Sequence, residues 1–318
     1  MSTTDLELLS LLHELSPVAE RLLERHIDSA KEWFPHELVP WGRGRDFEPG
    51  EVWDPSESPL PDAVRSALYV NLLTEDNLPY YFRTIETRFG ADGPWGEWVR
   101  RWTAEEGRHA IVIRDYLTVS RAIDLVELER GRMQHVSTGF DAKIDGAAEC
   151  LVYVALQELA TRIAHRNTGK LLGDGPGYEI MARVAADENL HYLFYRDAVS
   201  GAIEIDPSTM VRAIARQVRD FEMPGTGIVD FAAHARAIAK TGIYDFLVHH
   251  DQVLTPCAIR QWKLADLEGL TPEAEEARQR TLKYIERVGK AGRRQAERRQ
   301  RLAEREGALD PDDELTPV

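Results

Sequence analysis

At 318 residues the chain is long enough to bury a large core, and its 39 basic against 54 acidic residues leave a formal charge of −15. That balance argues against a general nucleic-acid role and favours solubility. Two cysteines, Cys150 and Cys257, are too few for a disulfide framework or a thiolate metal site, and the first residues lack the basic and apolar regions of a secretory signal. With no apolar run near the ~20 residues of a membrane span, a cytoplasmic protein with no membrane or nucleic-acid partner is expected.

Helical periodicity dominates, and no alternating strand pattern stands out, so the fold is read as all-α. Helices are predicted over 5–31, 62–89, 94–120, 122–136, 146–171, 177–200, 207–220, 228–240, 243–266 and 271–305. Residues 40–61, rich in Pro and Gly, form the longest irregular stretch, and Gly173-Asp-Gly-Pro-Gly177 and Met223-Pro-Gly-Thr-Gly227 punctuate the later helices. Pro79 falls inside a pattern that continues through Phe82, Ile85 and Phe89. Because proline cannot donate to the carbonyl of Glu75, the helix is expected to kink there. The expected organisation is a single helical domain over 1–306, with a bundle core at about 62–200, helical additions at both ends and a disordered tail over 307–318.

One pattern occurs twice. Glu75 is followed by Glu106-Gly-Arg-His109 and Glu158 by Glu188-Asn-Leu-His191, at spacings of 31 and 30 residues between the first and second glutamates. A Glu and a His three positions apart project from one helical face. Each carboxylate also sits in an apolar stripe: Glu75 among Leu68, Leu72 and Leu78, Glu106 with Val99, Trp102 and Ile113, Glu158 with Leu151 and Val154, Glu188 with Met181, Val184 and Tyr195. Burying four unpaired carboxylates is prohibitive unless cations compensate them. Four carboxylates and two imidazoles on four helices are the ligand set of carboxylate-bridged two-metal sites in helical bundles, and carboxylate with imidazole suits iron or manganese. Glu75, Glu106, His109, Glu158, Glu188 and His191 are therefore the expected metal ligands.

Pseudo-symmetry extends outward. Glu105 precedes one ligand and Asp187 its counterpart, and each is expected to accept a hydrogen bond from a ligand imidazole, Asp187 from His109 and Glu105 from His191. Thr161, one turn beyond Glu158, is expected to line the oxygen-binding side; the competing reading is a hydroxyl bonded to its own helix. Thr84, Ile85, Leu151 and Tyr195 are candidate walls of an apolar channel.

These residues resemble a known family, the soluble acyl-acyl-carrier-protein desaturases of plastids and actinobacteria. Leu73-Thr-Glu-Asp-Asn-Leu-Pro79, Trp102-Thr-Ala-Glu-Glu-Gly-Arg-His109, Gln157-Glu-Leu-Ala-Thr161 with His165-Arg-Asn-Thr168, and Ala185-Ala-Asp-Glu-Asn-Leu-His191 are similar to its four ligand-bearing segments. Trp33-Phe-Pro-His-Glu-Leu-Val-Pro40, Met223-Pro224, Gly242-Ile-Tyr244 and Trp262-Lys-Leu-Ala-Asp-Leu-Glu-Gly-Leu270 extend the resemblance to about residues 8–305. It implies a ferritin-like four-helix bundle core, two iron ions, a homodimer, and insertion of a cis double bond into a fatty acyl chain on acyl carrier protein, with dioxygen as oxidant and ferredoxin as electron donor. It also implies that Trp33 relays electrons to the cluster.

The chain departs from the plant pattern at Ala110-Ile111, where a Gly-Asp pair is usual, at Asn189-Leu190, where Lys-Arg stands, and at Tyr192, where Glu stands. No ligand is lost. Acyl length and bond position stay open, and the ligands alone also allow a hydroxylase or N-oxygenase acting on another carrier-bound substrate. Carrier proteins and ferredoxins are acidic, so the basic stretch 278–305, with eleven Lys or Arg against three Glu, is the expected docking face, presented by Lys283, Arg287, Arg294 and Arg298.

Overall fold

The computed structural model describes residues 3–141 and 143–307, and helices are the only regular elements among them. The chain runs through α1 (Thr3–Ser29), a one-turn α2 (Pro35–Leu38), α3 (Asp62–Glu75), α4 (Leu78–Phe89), α5 (Gly93–Val119), α6 (Leu125–Thr138), α7 (Ala147–Leu171) and α8 (Gly175–Ile205). It continues with α9 (Pro207–Asp220), α10 (Phe231–Thr241), α11 (Phe246–His249) and α12 (Pro272–Gly307). The expected tail falls on 307–318, all of which except Gly307 lies outside the described residues.

Local chemistry sets several of these ends. α6, α8 and α9 each begin after an aspartate whose carboxylate accepts from the first-turn amides: Asp124 from Val126 at 2.8 Å, Asp174 from Gly177 at 3.0 Å and Asp206 from Thr209 at 2.9 Å. Proline in the first turn of α8 and α9 removes an amide that has no helical partner there.

α3, α5, α8 and α7 pack in a closed ring, α3 on α5, α5 on α8, α8 on α7 and α7 on α3. This is the four-helix bundle of the ferritin-like fold. α7 is buried nearly all round, which explains why its sequence is apolar on every side. α1 covers α5 and α8, α9 joins α7 to α12, and α10 lies over α3. The apolar interior divides in two. One part holds Trp98, Val99 and Trp102 of α5 with Tyr192, Phe194 and Tyr195 of α8; the other holds Val112, Ile113 and Tyr116 with Ile180, Met181 and Val184. On both helices the predicted ligands fall at the boundary between these parts.

Two predicted helices are broken. The expected kink at Pro79 is a full interruption: α3 ends at Glu75, Asp76 and Asn77 form a turn, and α4 starts at Leu78. The proline ring crowds the carbonyl of Glu75 and supplies no amide, so Glu75 becomes the last residue of its helix. Over 243–266 the chain makes only α11, a π-helical stretch His250–Gln261 containing Pro256, and a short 3-10 turn Leu264–Asp266. A wider helical register accommodates a proline that lacks its donor. The loop over 40–61 is anchored at the α5–α6 corner, where Trp53 Nε1 donates to the Arg121 carbonyl at 2.9 Å and the Ser58 hydroxyl to the Ala122 carbonyl at 2.9 Å. No helix among the described residues is long and apolar enough to cross a membrane.

The tightest aromatic contact is Trp98 stacked on Phe194, centroids 3.6 Å apart and planes 6° from parallel. Trp98 is fully buried. Trp98→Ala is expected to cost about 3–5 kcal/mol of stability, read as a lower denaturant midpoint.

Candidate metal centre

Glu75 closes α3, Glu106 and His109 lie one turn apart on α5, Glu158 is mid-α7, and Glu188 and His191 lie one turn apart on α8. All six are buried, none more than 7% exposed. Their side chains form two groups, Glu75–Glu106–His109–Glu188 and Glu106–Glu158–Glu188–His191, in each of which the potential donor atoms lie within 4.8 Å of one another. Glu106 and Glu188 belong to both groups.

His109 Nδ1 faces Glu106 Oε2 at 3.5 Å, Glu75 Oε2 at 3.7 Å and Glu188 Oε1 at 3.9 Å. His191 Nδ1 faces Glu106 Oε1 at 2.8 Å and Glu158 Oε2 and Glu188 Oε2 at 3.6 Å each. None of these is an aligned hydrogen bond: His109 Nδ1, His191 Nδ1, Glu106 Oε1, Glu158 Oε2 and Glu188 Oε2 are buried without a hydrogen-bond partner. Each orphaned buried polar atom costs about 1–3 kcal/mol. Five that converge describe a site built for cations. Two divalent ions would neutralise four carboxylates, with Glu106 and Glu188 placed among the donors of both groups. The donor set, all oxygen and imidazole nitrogen, fits such a pair of metal ions.

A ring of partners fixes these side chains. Trp102 Nε1 donates to Glu158 Oε1 at 3.0 Å, and His165 Nε2 lies 3.0 Å from Glu75 Oε1 and 3.4 Å from Glu188 Oε1. Burial lowers the affinity of His165 for a proton, but Glu188 and Glu75 outweigh it and push its pKa up to about 9. Behind His191, Glu105 Oε2 accepts from Nε2 at 3.0 Å. Burial alone would raise the Glu105 carboxyl; the donors His191 and His26 hold it well below the usual carboxylate range. Behind His109, Asp187 Oδ2 is 3.6 Å from Nε2, a charge contact beyond hydrogen-bond length, while Trp33 Nε1 donates to that oxygen at 2.8 Å and Arg108 at 3.0 Å.

The expected hydrogen bond therefore forms between Glu105 and His191 but not between Asp187 and His109, because the Asp187 oxygen nearest that imidazole is taken by Trp33 and Arg108. Thr161 is buried, and its hydroxyl donates to the carbonyls of Gln157 and Glu158 at 3.1 Å each, which is the competing reading of that residue. Ile85, Leu151 and Tyr195 are buried in one apolar cluster, with Thr84 only half-buried. Two further buried histidines beside these carboxylates, His26 and His165, are not among the expected site residues. His165 lies seven residues, two turns, beyond Glu158 on the same face, so its spacing carried a signal. His26 had none: it meets Glu105 across 79 residues of sequence, at 2.8 Å.

A protein-family model described as fatty acid desaturase matches residues 7–309. The chain belongs to the fatty acid desaturase family. Among relatives of this desaturase, DesA1 of Mycobacterium tuberculosis, named as an acyl-acyl-carrier-protein desaturase, is 42% identical over 280 residues, covering 85% of this chain and 82% of DesA1. Rice chloroplastic acyl-acyl-carrier-protein desaturase 6 is 32% identical over 306 residues, covering 86% of this chain and 71% of the rice protein. The X-ray structure of DesA2 from M. tuberculosis H37Rv superposes with a TM-score of 0.67 at 29% identity, covering 84% of this chain and 99% of the DesA2 chain. In this desaturase the departures from the plant pattern lie outside the ring of ligands: Ile111 is exposed, Asn189 and Leu190 line a surface groove, and Tyr192 is buried against Cys257.

Burial disfavours charge on His109 and His191, but the surrounding carboxylates outweigh it and raise both well above the ordinary imidazole range. A metal ion needs these nitrogens bare, so uptake must release protons and strengthen as pH rises. Anaerobic ferrous titration should show tighter binding at about pH 7.5 than at about pH 6.5, with proton release read from buffers of different ionisation enthalpy. Binding that is independent of pH would contradict the assignment.

Proposed function

We propose that this desaturase inserts a cis double bond into a fatty acyl chain carried on acyl carrier protein, using two iron ions, dioxygen and electrons from a ferredoxin-type donor, and that it works as a homodimer. The observation that carries the reading is the pair of donor groups sharing Glu106 and Glu188 in a chain whose relatives are named acyl-acyl-carrier-protein desaturases. When bound, the two irons supply the dioxygen chemistry that removing hydrogen from unactivated methylenes demands and that no side chain provides. Glu75, Glu106, His109, Glu158, Glu188 and His191 hold them.

The rest of the work falls to the chain. The apolar cluster beside the ligands, including Ile85, Leu151 and Tyr195, excludes water and orients the acyl chain so that two adjacent carbons face the metals. Trp33, Asp187 and His109 form a continuous line from the chain before α2 to a ligand, which supports Trp33 as the electron relay. Arg108 and Arg183 lie over the Trp33 ring at 4.8 and 5.8 Å. Beside that line a groove of about 440 Å³ gathers Lys31, Arg162, Arg166 and Arg183, a face suited to an acidic electron donor. It is also where Asn189-Leu190 replaces the plant Lys-Arg pair, so other cations supply the positive charge.

On the far side, Lys283 and Arg287 of α12 join Arg212, Arg216, Arg219 and Arg280 around a groove of about 720 Å³. With Arg294 and Arg298 also exposed, this face supports docking of the acidic carrier.

Reconstitution with ferrous ion, reduction through ferredoxin and incubation with acyl carrier proteins of different chain length should give a product lacking two hydrogens. A product that gains one oxygen would instead identify a hydroxylase. Reversing Lys283, Arg287 and Arg298 to Glu should raise KM for the carrier about tenfold with kcat nearly unchanged, since three exposed charges contribute about 0.5 kcal/mol each. An unchanged KM would remove α12 from the docking face.

A further inference from the structure

The two halves of the metal centre are backed differently. Behind His109, Asp187 is shared among Trp33, Arg108 and Arg183, and its oxygen stands 3.6 Å from the imidazole. Behind His191, one oxygen of Glu105 meets two imidazoles, His191 Nε2 at 3.0 Å and His26 Nε2 at 2.8 Å. A carboxylate oxygen accepts and does not donate, so both Nε2 atoms carry hydrogen. With Nε2 held by Glu105, Nδ1 is the His191 nitrogen that faces Glu106, Glu158 and Glu188 and would be bared to meet a metal ion.

His26 is buried at 3% exposure in the last turns of α1, on the stripe formed by Leu15, Ala19 and Leu22. It lies edge-on to Trp98, ring centroids 5.0 Å apart, and stacked on His191 at 5.8 Å. Among the described residues its Nδ1 has no hydrogen-bond partner, and Glu105 is the polar group that answers its Nε2. Packing alone would be served better by leucine, as at the neighbouring stripe positions; a buried imidazole costs free energy unless its hydrogen bond is needed. Arg101 pairs with the other oxygen of Glu105 but is 42% exposed, a weaker anchor than a donor packed between two rings.

We infer that His26 is a positioning residue for one of the two metal positions: it locks Glu105, Glu105 locks the tautomer and ring angle of His191, and the position served by His109 is left untouched. The inference rests on the two-metal reading above. α1, which supplies no ligand, thereby becomes part of the metal centre.

The test compares wild type, His26→Leu and His26→Gln by anaerobic titration with Fe²⁺ alone, Mössbauer spectra of the ⁵⁷Fe-loaded proteins, and thermal melting of the apoproteins. In His26→Leu, which keeps the stripe apolar and the fold intact, one of two binding events should weaken roughly 10–100-fold, as loss of an outer partner of a metal ligand does, while the other stays within about twofold. One of the two iron sites should change its quadrupole splitting. His26→Gln, whose amide donates in place of Nε2–H, should return affinity to within about threefold of wild type. His26→Leu binding both equivalents like wild type overturns the inference, as does an equal weakening of both events that follows the melting temperature and is not rescued by Gln. Wild-type protein taking up fewer than two equivalents overturns the two-metal reading itself, and the inference with it.

Discussion

Holding four carboxylates together in a dry interior is the constraint on which the rest of this structure depends. Two like charges 4 Å apart repel by about 4 kcal/mol at an effective dielectric of 20, and Glu75, Glu106, Glu158 and Glu188 present several such pairs. Two divalent cations held at this centre would remove that cost. The closed ring of α3, α5, α8 and α7 brings one of these glutamates from each helix, and α3 stops at Glu75, four residues before Pro79. An apolar cluster lies to either side of the ligand plane. One holds Trp98, Trp102 and Tyr195; the other holds Trp33 with Val112, Ile113 and Tyr116.

Around that plane the partners are unequal. Glu105 is locked between two imidazoles, while Asp187 is divided among an indole and two guanidinium groups. Both arrangements draw on α1 and the chain just after it, through His26 and Trp33. A segment that covers the bundle therefore reaches both ligand histidines through one intervening carboxylate each. An outer hydrogen bond to a ligand imidazole sets its tautomer and basicity, and hence how tightly a metal ion would be held.

How much of this was legible depended on distance along the chain. The Glu-x-x-His pairs could be read because three residues are nearly one helical turn, and the phase of a helix is a local property. Glu105 and Asp187 could be singled out because the repeat places each beside a Glu-x-x-His glutamate, but only Glu105 makes the expected hydrogen bond. His165 stands two turns beyond Glu158 on the same helical face, a spacing that marks it without saying what it meets. His26 left no local trace: its partner lies across a helix–helix contact. Among the helices, Pro79 was read correctly as a disturbance but underestimated, since the ring removes one hydrogen bond and the freed carbonyl turns the chain away. The π-helical stretch around Pro256 was invisible to a 3.6-residue periodicity.

The amino-acid sequence by itself determined the helical class, the six side chains that gather at the centre and the positions of most helix ends, because these follow from periodicity, proline and capping aspartates acting within a few residues. Only the tertiary structure decided which glutamates are shared, that His109 and His191 are held at different distances by their carboxylates, and that α1 takes part. Those outcomes turn on tenths of an ångström between side chains from different helices, set by the packing of large rings such as Trp98 and Phe194, and no spacing along the chain encodes them.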